Sequence, residues 1–82
     1  MKPALTLYGR PGCHLCEAMA AEVQPHLSAH GLSLRQVDID VDPALTQRYG
    51  LKVPVLCGPQ GEICHYFFDE AAFRAWLAQE LA

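Results

Sequence analysis

Cys13 and Cys16 stand one helical turn apart behind a Gly-Arg-Pro-Gly turn in the stretch YGRPGCHLCEAM, residues 8–19. Such a Cys-x-x-Cys pair fits three chemistries: a redox-active dithiol, half of a metal site, or two buried thiols that act as small hydrophobes. The surrounding residues separate them. If a helix begins close to Cys13, its sulfur sits where unpaired backbone N–H groups and the positive end of the helix dipole converge, while Cys16 lies one turn inside. That position lowers a cysteine pKa from ~8.5 to between ~3.5 and 7.5. The two thiols are then inequivalent, Cys13 as nucleophile and Cys16 as the thiol that resolves a mixed disulfide by attacking the sulfur of Cys13. A Brønsted slope of ~0.4–0.5 cancels much of the gain in thiolate fraction, so the main benefit is that Cys13 leaves a mixed disulfide more readily. His14, between them, adds positive charge when protonated. Arg10 is a permanent cation able to steady a thiolate or a substrate carboxylate.

The other chemistry-bearing residues read more plainly. Cys57 and Cys64 fall on the two arms of one hairpin, as diagonal neighbours on one face of a sheet, and are expected to be buried core thiols. They form no second Cys-x-x-Cys knuckle of the kind zinc requires; if exposed, they could close a second disulfide. His26 and His30 sit at helical spacing on a face near a helix C-terminus, where positive charge in solvent is favourable. Gln47 and Arg48 read as an exposed helix face.

These side chains need a scaffold, and the chain supplies one element at a time. ALTLY, residues 4–8, alternates as a short strand and GRPG ends it. A helix follows, with Leu15, Met19, Val23 and Leu27 on one stripe and Gly31 as its left-handed cap; Pro25 inside it predicts a kink or interruption. Residues 32–41 form a second strand whose alternation slips near Gln36, the mark of a bulge. A strand, a helix and a strand suggest a right-handed crossover between parallel strands. Asp42 as N-cap, Pro43 at the first helical position and Gly50 as terminator give a short helix. VPVLC and EICHYFF flank GPQG as an antiparallel hairpin. The last helix starts at Asp69, is stapled by Phe68 and Phe73, and buries Phe73, Trp76, Leu77 and Leu81. The order is βαβαββα, an α/β fold with a four-stranded mixed sheet flanked by three helices on both faces.

Composition limits the setting. The 82 residues, 51% apolar and 18% charged, suit one small globular core. A net charge of −3 with six Lys and Arg argues against nucleic acid as the main partner. No run approaches the ~18 apolar residues that span a bilayer, which argues against a membrane. The N-terminus lacks the apolar segment of a signal peptide, so the expected location is cytoplasmic, where a Cys-x-x-Cys is redox-active or metal-binding more often than structural.

LYGRPGCHLC resembles the strand, turn and Cys-x-x-Cys of small glutaredoxin-like proteins of the thioredoxin superfamily, and VPV at residues 53–55 resembles their Val-Pro before the third strand. The resemblance covers residues 1–82 as a single domain. It implies thiol-disulfide exchange through Cys13 and Cys16, a cis Val53–Pro54 bond facing the nucleophile, and substrate pairing with the backbone of Val53. It implies disulfide substrates, small-molecule or protein, met by a monomer with no bound cofactor or metal, and glutathione as reductant or co-substrate. The chain departs from the family in three places. Leu15 stands where the Tyr of Cys-Pro-Tyr-Cys contacts glutathione, Lys52 replaces a common Thr, and YFFDE replaces a Gly-Gly pair, with Asp69 as the acidic residue there. Two further readings are a metal or iron-sulfur cluster protein of the same fold and a non-catalytic thioredoxin-like binding module. The retained second cysteine argues against the latter, because a binding role needs no resolving thiol.

Overall fold

The computed structural model describes residues 4–80. Strand β1 (Ala4–Gly9) leads through a turn into helix α1 (His14–His30), followed by β2 (Ser33–Asp38), a single 3-10 turn (Ile39–Val41), α2 (Pro43–Tyr49), β3 (Val55–Gly58), β4 (Gly61–His65) and α3 (Glu70–Glu80). The strands form one sheet in the order β2-β1-β3-β4. β1 and β2 run parallel, and the other pairings are antiparallel. This is the mixed sheet expected from the element order. Leu81 lies outside the described residues. No described helix is long and apolar enough to cross a membrane.

The helix ends follow local chemistry. Gly31, at φ 64°, returns its N–H to the carbonyl of Leu27 and stops α1. Asp42 accepts the N–H of Ala44 and Asp69 that of Ala72, each 2.9–3.0 Å away, so both supply the capping oxygen an α-helix start lacks. Pro25 does not interrupt α1. It and Ala21, whose carbonyl loses its helical partner there, both lie on the exposed side, where water can take the bond.

The sheet has a core on each face, and this explains the slip in β2. Leu5, Leu7, Met19, Val23, Leu27, Leu32, Leu56, Phe73 and Leu77 pack with α1 and α3 on one face. Ile39, Tyr49, Val55 and Cys57 pack around α2 on the other. The pairing of β1 with β2 is regular from Ala4↔Ser33 to Gly9↔Asp38, so the bulge expected at Gln36 is absent. Leu32 and Leu34 serve the first core and Ile39 the second, and an apolar pattern that changes face looks like a slip in sequence. The irregularity lies instead between β3 and β4, where Leu56 faces Cys64 but Cys57 faces Glu62, leaving Ile63 unmatched.

That extra residue overturns the expected placement of Cys57 and Cys64 as diagonal neighbours on one face of the sheet. Cys64 belongs to the core of α1 and α3 and Cys57 to the core of α2, on opposite faces, so they cannot close a disulfide. Both are free and buried, and burial pushes both thiol pKa values up. The unfolded chain gives up these protons first, so their contribution to stability is complete below the ordinary thiol range and falls as pH rises through it. With Cys13 and Cys16 oxidised, the folded protein near pH ~8 should show no fast-reacting thiol toward an aromatic disulfide reagent. Denaturant should expose two. A fast native thiol would contradict the burial.

His26 also differs from the solvated residue expected. Its side chain is 18% exposed, with Nε2 3.6 Å from Glu70. Its ring lies 5.5 Å from that of Phe68 and 5.0 Å from that of Phe73, joining α1 to the start of α3.

Candidate active site

Cys13 is the N-cap of α1 and Cys16 lies in its first turn. The two sulfurs are joined as a disulfide with a Cα–Cα distance of 5.2 Å. The Cys16 N–H donates to Cys13 Sγ at 3.1 Å, so sulfur occupies the place a Ser or Asp oxygen holds in an ordinary cap. Cys13 is half-buried and Cys16 is 8% exposed. The inequivalence inferred from spacing is therefore present in the fold: one sulfur at the positive end of the helix and reachable, the other behind it.

Gly9 makes room for the second sulfur. A Cβ at residue 9 would lie 2.8 Å from Cys16 Sγ and 3.2 Å from its Cβ. Non-bonded atoms of this kind need ~3.5–4 Å. In the sequence Gly9 reads only as the start of the turn that ends the strand, although a glycine at a strand end also signals close backbone approach. Gly9→Ala should displace Cys16, costing about 1–3 kcal/mol of stability and slowing closure of the Cys13–Cys16 disulfide. Thermal unfolding and the rate of disulfide formation in the reduced protein check this; two unchanged values would refute the contact.

Arg10 ties the turn to distant parts of the chain. Its Nε donates to both carboxylate oxygens of Asp40 at 3.1 and 3.2 Å, and Nη1 donates to the carbonyl of Gly50 at 2.9 Å. These bonds hold the turn before Cys13 against the 3-10 turn and the end of α2, so the fork is engaged within the protein. His14 is 98% exposed and 4.0 Å from Glu17, on the surface of the first helical turn. Leu15 beside it is also exposed.

Val53 and Pro54 reach the same end of the sheet by register. Tyr8 faces Val55, and one residue further sets Pro54 level with Gly9, where the turn to Cys13 departs. The Val53–Pro54 peptide bond is cis. Neither the N–H nor the C=O of Val53 has a hydrogen-bond partner among the described residues. Lys52 is held by Glu62 at 2.6 Å, and Glu62 also meets His65 Nδ1 at 2.6 Å. The Lys52 hydrogen bond, reinforced by His65, holds the Glu62 carboxyl below its usual range. No three His, Cys, Asp or Glu side chains among the described residues gather into a group able to hold a metal ion.

The sheet order, the helix-start Cys-x-x-Cys disulfide and the proline entering β3 define a thioredoxin-like α/β protein. Over residues 4–78 the chain matches the glutaredoxin-like domain family (DUF836), and it belongs to that family. Among solved structures it is similar to protein Ne2328 from Nitrosomonas europaea, with 37% identity over 93% of this chain and 92% of that one and a TM-score of 0.85. It is also similar to protein XcR50 from X. campestris, at 41% identity over 92% and 96% of the two chains and a TM-score of 0.73. Mitochondrial thioredoxin 3 from Saccharomyces cerevisiae, in its oxidised form, shares the fold at 13% identity, with a TM-score of 0.70 over 95% of this chain and 78% of its own.

Proposed function

We propose that this protein is a thiol-disulfide oxidoreductase that reduces disulfides through Cys13 and Cys16. The observation that carries this reading is the inequivalent pair: a half-buried Cys13 whose sulfur accepts the Cys16 N–H at the start of α1, bonded to a buried Cys16. In the reduced protein the same N–H and the helix dipole favour the Cys13 thiolate over the thiol. That thiolate attacks one sulfur of a substrate R–S–S–R′, forming Cys13–S–S–R and releasing R′S⁻, which takes a proton from water. Cys16 then gives up its proton and attacks Cys13 Sγ, closing the internal disulfide and releasing RS⁻. Two electrons pass from the protein to the substrate.

Two molecules of a thiol restore the dithiol, and glutathione is the thiol that the family resemblance implies. The unpartnered backbone of Val53 suits an extended substrate chain, as one added strand would use it. Exposed Leu15, next to the pair, supplies apolar contact where the family's aromatic residue is absent. Such chemistry fits a monomer working in the cytoplasm, where a thiol pool keeps the pair reduced. The test is turnover of a small mixed disulfide by the wild-type protein in an assay coupled to a glutathione-regenerating system. Activity indistinguishable from the uncatalysed thiol reaction would sink the proposal.

A further inference from the structure

Tyr66, just past β4, has φ 66°, and it is the one non-glycine residue with positive φ among the described residues. A bulky side chain is disfavoured in this left-handed region and persists there only when its surroundings hold it. Three contacts do so. The Tyr66 N–H donates to the carbonyl of Pro54 at 2.9 Å, its hydroxyl donates to the carbonyl of Leu51 at 2.6 Å, and its ring meets that of His65 edge-on at 4.7 Å. One residue thus grips both ends of segment 51–54. Between those grips sits Val53, with its backbone N–H and C=O unpartnered.

Simpler roles for Tyr66 fit less well. It belongs to neither core, and at 43% exposure it is not a packing residue. If only the turn mattered, glycine would adopt this φ without strain. What tyrosine adds is a hydroxyl that reaches back to Leu51, whose own side chain is 91% exposed and anchors nothing.

We infer that Tyr66 is a positioning residue, whose hydroxyl holds the Leu51 end of the segment so that the Val53 peptide group is already oriented for a substrate backbone. This rests on the proposed disulfide reduction with substrate pairing at Val53. Without the hydroxyl, the segment must be ordered when substrate binds, which weakens binding and leaves the sulfur chemistry on α1 untouched.

The test compares Tyr66→Phe and Tyr66→Gly with the wild type on two substrates. One is a cysteinyl peptide in mixed disulfide, which has a backbone to pair. The other is bis(2-hydroxyethyl) disulfide, which has none. Both variants should raise KM for the peptide about fivefold, the net worth of one neutral hydrogen bond, with kcat unchanged and KM for the small disulfide unchanged. An unchanged peptide KM in Tyr66→Phe overturns the inference. So does an equal rise on both substrates, which would mean general loosening of the site, or full recovery in Tyr66→Gly, which would assign the effect to backbone strain. Hydrogen exchange separates this from the function itself. The Lys52 amide, which lies in the same segment and donates to the carbonyl of Tyr49 at 2.8 Å, should exchange about fivefold faster in the oxidised Tyr66→Phe protein, whatever the turnover. Wild-type protein that reduces neither disulfide refutes the proposed function, whereas unchanged Lys52 exchange refutes the positioning role alone.

Discussion

Cys13→Ser is expected to abolish disulfide reduction, lowering turnover by at least about a thousandfold, or about 4 kcal/mol of barrier. A serine hydroxyl at the start of α1 can still cap the helix by accepting the Cys16 N–H, so the fold should persist. What serine lacks is an ionised sulfur at neutral pH, and the helix dipole cannot shift a hydroxyl far enough to replace it. Cys16→Ser should behave differently. Cys13 still attacks, but nothing displaces the bound substrate half, so a Cys13 mixed disulfide accumulates in an amount equal to the protein. Mass spectrometry of the intact protein after exposure to substrate reads both results directly. Full activity in Cys13→Ser, or an identical outcome for the two variants, would show that the sulfurs do not divide the work as their burial indicates.

The second large effect concerns what holds the helices in place. Phe73 is fully buried, and its ring lies 5.0 Å from that of His26, 5.6 Å from that of Phe68 and 5.6 Å from that of Trp76. It joins the start of α3 to α1 and to the sheet in a single contact group. Phe73→Ala leaves a cavity in a small core that has little else to close around it, with a loss of about 3–5 kcal/mol. That is a large share of the ~5–15 kcal/mol that stabilises an ordinary domain. The midpoint of thermal unfolding should fall by about 15–30 °C, and Phe73→Leu, which fills most of the volume, should fall far less. A drop in Phe73→Ala worth less than about 1 kcal/mol would mean that α3 is secured elsewhere.

Much of the scaffold is legible in the chain because its causes are local. Cys13 as a helix start, Asp42 as a cap and Gly31 as a stop each depend on backbone groups within a few residues. The Phe68–Phe73 staple is of the same kind, with ring centroids 5.6 Å apart. The order of elements follows from hydrophobic period, which is also a short-range property. So does the unequal environment of the two sulfurs, since a helix dipole acts within one turn.

The features that escape the sequence depend on distant residues and on register. The Arg10 side chain is engaged by Asp40 and Gly50, neither marked as its partner by any local pattern. Gly9 is required by a sulfur that approaches only after α1 folds back onto β1. Tyr66 adopts a turn conformation that its residue type disfavours, held by carbonyls of a segment on another part of the chain.

By itself, then, the sequence determined where the two paired cysteines stand, their unequal environments and the order of elements, because capping, dipole and periodicity operate between near neighbours. Tertiary structure alone decided which face each remaining cysteine occupies and what grips the segment opposite the pair. One unmatched residue in β4 separates Cys57 from Cys64, and a ladder's register is a property of two strands together.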